Sequence, residues 1–182
     1  EIPGIIKSKG FTKAFVASDP DLVKFGVTSK VTDLLEQNGI AYELYTDIKP
    51  NPTIENVQHG VDAYKASGAD MMITIGGGSP TDAGKSVAIL LEYPDKTGAD
   101  LYEFKFNAEK AVPIVAINLT HGTGSETNRF AVATILEKDY KPAIAYDAIY
   151  PMYAIDDPAL MTGLSPKQTR YVSIDAVNHV VE

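Results

Sequence analysis

"ITIGGGSPTDAGKS", residues Ile73 to Ser86, sets three consecutive glycines between an apolar run and a stretch with helical spacing. Met71 to Ile75 is apolar without alternation, which reads as a strand buried on both faces, as in a parallel sheet. From Ser79 onward Ala83, Val87 and Leu91 recur at helical intervals, with Ser79 suited to cap the helix and Pro80 to its first position. Such a strand-to-helix turn gathers free backbone N–H groups and the positive end of a helix dipole at one point, and an anion is stabilised there. Gly76, Gly77 and Gly78 have no Cβ to hold a phosphate at a distance, and they tolerate positive φ where the chain turns. Neither common phosphate pattern is present: GxGxxG needs spaced glycines and GxxxxGK[ST] needs a different gap. The stretch alone leaves open a tight turn that holds no ligand.

Working outward, Lys13 to Ser18, Ala41 to Tyr45 and Val112 to Asn118 are further strand candidates. Between them lie a helix-period stretch from Thr28 that stops at Gly39, and another capped by Thr53 after "KPNP" that runs to Ser67. Strands alternating with helices predict a parallel sheet covered on both faces. After Asn118 the pattern changes. "FAVATIL" (Phe130 to Leu136), "AIAYDAI" and "MYAID" read as short strands or ribbons, and from Ser165 the text turns helical with Pro166 in first position. A domain boundary is expected between Asp157 and Ser165.

A second small-residue loop, "NLTHGTGSE" (Asn118 to Glu126), follows the fourth strand. Two Gly-and-hydroxyl loops are thereby expected at the carboxyl edge of one sheet, where ligands bind in such folds. Thr120, Thr123 and Ser125 offer hydroxyls to phosphate, ribose or amide groups.

The 182 residues carry 16 Lys+Arg against 24 Asp+Glu, a formal charge of -8, so the overall field repels nucleic acid and anionic membrane. With no cysteine there is no disulfide, thiolate metal site or thiol nucleophile, and any metal is held by His, Asp or Glu. No apolar run approaches the roughly 20 residues of a membrane span, and "EIPGIIKSKG" does not read as a signal peptide, so a cytoplasmic protein is expected. Both ends read as cut.

"GGGSPTDAGKS", "THGTGSE" and "SIDAVNHVVE", in this order and with "PNPT" upstream, resemble the iron-containing (group III) alcohol dehydrogenase family. The resemblance covers nearly the whole chain. It implies a parallel-sheet, Rossmann-like α/β domain that binds NAD or NADP, residues 1–160, followed by the start of an all-helical metal-binding domain, residues 161–182. Carried over, it places Gly76, Gly77, Gly78 and Ser79 at the dinucleotide pyrophosphate, Asp82 near the same cleft, Thr120 and Thr123 at the nicotinamide half, and Lys141 at the cofactor ribose. Asp175 and His179 are four apart, hence on one helix face, where an exposed side-chain pair is the commoner meaning. The resemblance makes them instead metal ligands and, through the metal, the catalytic pair. The family site needs one Asp and three His; His59 and His121 do not fit that pattern, so two ligands are expected beyond Glu182. Fe(II) is the family's metal, and Zn(II) suits the same donors.

Two stretches depart from the family pattern. "YTDIKPNPT" puts Thr46 where NAD-preferring relatives often have Asp, with Asp47 one place later, so NAD is favoured over NADP only if Asp47 serves. "SETNRF" places Asn128 and Arg129 where an apolar, Pro-containing segment is commoner, and Arg129 reads as a solvated charge. The expected function is interconversion of a small primary alcohol and its aldehyde in a homo-oligomer. The alternatives are a related polyol dehydrogenase and, if the chain ends at Glu182, a nucleotide-binding module without catalysis.

Overall fold

Strand β1 (Lys13–Ala17) is apolar at every position after Lys13, and its side chains supply two cores rather than one. In the computed structural model, which describes residues 1–181, Phe15 and Ala17 point into one apolar cluster while Ala14 and Val16 point into another. β3 (Met71–Gly76) is buried at all of its positions in the same manner. Each therefore has helices on both sides, as the unalternating sequence predicts.

The chain runs α1 (Ile2–Lys9), β1, α2 (Pro20–Lys24), α3 (Ser29–Gln37), β2 (Ala41–Tyr45), α4 (Ile54–Ser67), β3, α5 (Gly78–Glu92), α6 (Gly98–Tyr102) and β4 (Ile114–Asn118). It continues through β5 (Phe130–Val132), β6 (Ala143–Ala145), β7 (Tyr153–Asp156), α7 (Pro158–Met161) and α8 (Pro166–Val181). Five strands form one sheet in the order β2-β1-β3-β4-β7, every neighbouring pair parallel. One face is covered by α4, α5 and α6 through Val57, Val61, Val87 and Leu101; the other is covered by α1 and α3 through Ile6, Val31 and Leu35. Each such side chain contributes about 1.5–3 kcal/mol when fully buried. Helix α5 sits close on β3 because Gly84 faces Thr74, where a Cβ would collide with the threonine methyl.

Local chemistry explains the helix limits. Thr53 caps α4 in a reciprocal box with Asn56, and Gly39 and Gly68 end their helices at φ +65° and +67°. Gln168 N–H donates to Ser165 Oγ, so Ser165 caps α8 as expected. The start of α5 departs from expectation: it opens at Gly78 with Gly77 as its cap residue, and no side chain caps it. Ser79 is thus inside the helix, and its Oγ accepts instead from the Asn51 N–H at 3.4 Å.

The carboxyl half differs more. Of the two readings of "MYAID", short strand or ribbon, the strand is found: β7 joins the main sheet as its fifth strand, parallel to β4. Of "FAVATIL" only Phe130–Val132 is strand, paired antiparallel with Ala143–Ala145, and Leu136–Lys138 forms a 3₁₀ turn. These two short strands form a separate ribbon held against α5. Helices α1, α2 and α6 have no counterpart in the sequence reading. Among the described residues no helix is long and apolar enough to cross a membrane.

Candidate functional site

The strand order fixes where a ligand can sit. From β1 the chain crosses outward to β2, while from β3 it crosses the other way to β4, so the loops after β1 and β3 part company and leave a crevice at the carboxyl edge. A cleft of about 1320 Å³ occupies that position. Its walls come from the loops after β1, β2, β3 and β4 and from the segment spanning α7 and α8.

At its floor is the glycine turn. Gly76 has φ +149°, which L side chains rarely adopt, and a Cβ there would lie 2.5 Å from Pro80 Cγ. It is buried and does not line the cleft; it makes the turn. Gly77 and Gly78 do line it, with Ser79 and Asp82. Their missing side chains leave room for the second loop: a Cβ on Gly77 would stand 2.9 Å from Thr120 Oγ1, and one on Gly78 3.0 Å from Thr123 Cγ2. The two loops expected to meet are thus interlocked, with the uncapped N-terminus of α5 between them, a site suited to an anion.

The second loop is tied down at both ends. Asn118 Oδ1 accepts from Thr120 N–H at 3.2 Å, and its Nδ2 donates to Asp156 on β7 at 2.9 Å. Farther on, Ser125 Oγ donates to Asp82 Oδ1, while Val132 N–H donates to Asp82 Oδ2 at 3.1 Å. Lys85, one helical turn along, is fully buried. Its Nζ donates to Ser125 Oγ (3.2 Å), Asn128 O (2.8 Å), Asn128 Oδ1 (3.1 Å) and Phe130 O (2.9 Å). Burial pushes the Asp82 carboxyl up to about 6, against the opposing Ser125 hydrogen bond and the Lys85 charge. Burial likewise pushes the Lys85 ammonium down to about 8, with Asp82 pulling the other way. Both are charged at neutral pH.

Helix α8 closes the far side. Asp175 lines the cleft, and a Cβ on Gly122 would lie 2.7 Å from its Oδ2. His179 Nε2 is 3.7 Å from Asp175 Oδ1, both side chains about half exposed. His121 stands beside this helix, its Nε2 2.9 Å from Ser173 Oγ. Among the described residues no group of three His, Cys, Asp or Glu could hold a metal ion. Glu182, the last residue of the "SIDAVNHVVE" motif, lies outside the described residues.

The remaining expected residues divide. Lys141 lines the cleft, its Nζ donating to Asn51 Oδ1 at 2.7 Å. Thr46 and Asp47 are not brought to the cleft; Asp47 faces His59 at 3.6 Å on the exposed side of α4. Arg129 is exposed as expected, although paired with Asp147 at 2.9 Å. The sequence reading missed the loop after β1. Asp19 lines the cleft there, its Oδ1 accepting from Leu22 N–H and capping α2. The strand order would have pointed to it: the neighbour of β3 on the side away from β4 is β1, not β2.

Comparison with known proteins gives a consistent picture. The family model for iron-containing alcohol dehydrogenase matches residues 1–158. A long-chain primary alcohol dehydrogenase of Thermoanaerobacter ethanolicus is 54% identical over 100% of this chain and 46% of its own length. Among solved structures, NADH-dependent butanol dehydrogenase A from Thermotoga maritima superposes with a TM-score of 0.92 at 31% identity, over 100% of this chain and 46% of that one. Sulfoacetaldehyde reductase from Bifidobacterium kashiwanohense, in complex with NAD+, gives a TM-score of 0.91 at 27% identity, covering 100% of this chain and 48% of that one. The chain therefore spans about half the length of the relatives it matches.

Proposed function

The chain belongs to the iron-containing alcohol dehydrogenase family, and we propose that it forms the cofactor half and first metal-binding helix of an NAD(P)-dependent enzyme interconverting a small primary alcohol and its aldehyde. The observation that carries this reading is the packing of the second loop on α8, where Asp175 fills the space beside Gly122. A dinucleotide held by the two loops would end beside Asp175 and His179. In this reading residues 1–160 are the cofactor domain and 161–182 open the helical one, and the enzyme is a cytoplasmic homo-oligomer. The polyol alternative would use every one of these residues, so the cleft gives it no separate claim.

The residues present fit both groups. For the dinucleotide, the backbone N–H groups at the start of α5 would meet the pyrophosphate, Thr120 and Thr123 would serve the nicotinamide half, and Lys141 would hold a ribose hydroxyl. Asp19, in the loop after β1, the strand next to β3, would accept the adenosine ribose hydroxyls and repel a 2′-phosphate, which favours NAD over NADP. For the metal, donors 3.7 Å apart can share one ion at bond lengths of roughly 2.0–2.2 Å. Asp175 and His179 would hold Fe(II), or Zn(II) with the same donors, together with two His ligands that we assign to sequence beyond Glu182. When bound, the nicotinamide serves as hydride acceptor or donor and the divalent ion as a Lewis acid toward the alcohol oxygen. This chain's own contribution is to aim the ring at that oxygen and to keep both in a fixed field.

Calorimetric titration of the chain with NADH and NADPH tests the cofactor assignment. Tighter NADH binding, with the preference lost in Asp19→Ala, is expected; no binding of either dinucleotide would overturn it. Full-length enzyme loaded with Fe(II) should reduce small aldehydes, and unchanged turnover in Asp175→Ala or His179→Ala would refute the metal assignment.

A further inference from the structure

"DAGKS" within the opening stretch resembles the end of a phosphate loop, whose lysine reaches for a nucleotide. Here that lysine does the opposite. Lys85 is fully buried and does not line the cleft, and its ammonium is satisfied by Ser125 near the end of the second loop and by Asn128 and Phe130 in the segment that follows it. Asp82, one turn earlier, bonds Ser125 with one oxygen and the Val132 N–H with the other. Ser125 Oγ is shared by the two, and its N–H donates to Thr123 Oγ1 at 3.2 Å, the threonine that packs against Gly78.

We propose that Asp82, Lys85 and Ser125 are positioning residues for the cofactor: they lock the second loop at the spacing from the glycine turn that a dinucleotide requires. This deepens the reading of the cleft as a cofactor site and rests on it. Asp82 thereby acts through the loop rather than through contact with the dinucleotide, and Lys85, Ser125 and Asn128 become functional without touching a ligand.

Three features distinguish the lock from ordinary packing. Its charged members come from α5, the helix that opens at the glycine turn, so turn and loop are referred to one rigid element. It grips both sides of the loop's exit, since Asn128, Phe130 and Val132 are all held by the same helical turn. Its groups are charged and desolvated, so removal of one partner leaves another buried and unpaired. A neutral buried pair between the same helix and α6 offers the contrast: Ser86 Oγ on α5 and Tyr102 Oη on α6 are 2.7 Å apart and touch neither loop.

The test is NADH affinity of the chain, measured by calorimetry at a temperature where circular dichroism shows each variant folded. Ser125→Ala, Asp82→Asn and Lys85→Met should each weaken NADH about tenfold or more, the ratio set by one lost charge-assisted hydrogen bond. Hydrogen exchange at residues 120–132 should speed up in the same variants. Ser125→Thr, which keeps the hydroxyl, should restore wild-type affinity, and Tyr102→Phe should lower the melting temperature while leaving NADH affinity unchanged. Wild-type affinity in both Ser125→Ala and Asp82→Asn would overturn the proposal, as would an equal loss in Tyr102→Phe. If the wild-type chain itself binds no NADH, the cofactor reading fails first and the proposal with it.

Discussion

Replacing Gly76 by alanine separates what the first glycine does from what its neighbours do. Two penalties add at this position. Its φ of +149° is one that L side chains rarely adopt, a strain of about 1–3 kcal/mol. The new Cβ would also stand 2.5 Å from Pro80 Cγ and 3.2 Å from Pro80 Cβ and Cδ, and a rigid ring at the start of α5 has little freedom to yield. Overpacking of this kind adds about 1–3 kcal/mol. The sum, about 2–6 kcal/mol, is a large part of the roughly 5–15 kcal/mol that holds a domain folded. At about 2–4 °C per kcal/mol for a chain of this size, the melting temperature should fall by roughly 4–24 °C. Two other glycines calibrate the assay. Gly10→Ala meets φ +75° but open space, so it carries strain alone; Gly4→Ala, inside α1 with nothing within 4 Å, should be neutral or slightly stabilising. Thermal and urea unfolding followed by circular dichroism should therefore rank the variants Gly4→Ala, Gly10→Ala, Gly76→Ala in falling stability. A Gly76→Ala protein that melts no lower than Gly10→Ala would refute the argument that the Pro80 contact makes glycine obligatory.

Other outcomes follow from the same geometry. In full-length protein, Asp175→Ala and His179→Ala should each lower Fe(II) or Zn(II) affinity by more than about a hundredfold, since loss of a group that merely supports a ligand already lowers it ten- to a hundredfold; metal-competition titration measures this. Asp82 predicts a pH effect of definite sign. Its folded pKa of about 6 lies above the ordinary 3.8, so the folded state binds more protons between about pH 4 and 6 and loses stability as pH rises through that window. The upper bound is about 3 kcal/mol, reduced because the carboxyl sits at the cleft wall, and urea unfolding of wild type against Asp82→Asn should show the difference shrink below pH 4. Finally, His121→Ala removes the bond to Ser173, and limited proteolysis should cut the segment before α8 faster in that variant.

What could be read from the sequence was whatever depends on short-range pattern. The unalternating "MMITI", the Thr53 cap and the Ser165 cap each act within a few residues, and each is found where expected. The edges of the reading are equally physical. β7 has an alternating burial pattern, as a ribbon strand would, and only its partner β4, more than thirty residues earlier, makes it part of the parallel sheet. Ser79 has the chemistry of a cap, yet the glycines allow the helix to start two residues sooner. Asp19 was overlooked because its meaning depends on β1, not β2, lying beside β3, which is a property of strand order. Lys85 could be seen in the text, but its direction could not. Its partners are 40 to 45 residues away, beyond the reach of any local pattern.

The four residues from Thr120 to Thr123 show why the two halves of the site are not independent. Thr120 packs on Gly77 and Thr123 on Gly78, while between them His121 bonds Ser173 and Gly122 admits Asp175. The loop's outer residues thus face the glycine turn and its inner ones face α8. The loop has little room to shift toward either side, because a Cβ added at Gly77, Gly78 or Gly122 would already stand 2.9, 3.0 or 2.7 Å from its neighbour. A group that orders the glycine turn therefore also orders the surroundings of Asp175, and a group bound at Asp175 and His179 restrains the loop against the glycines. By linkage the two effects must be equal in free energy, whichever is measured. The consecutive glycines are what make this possible: with side chains at Gly77 and Gly78 the loop would stand off from α5, and no single backbone segment would touch both the glycine turn and α8.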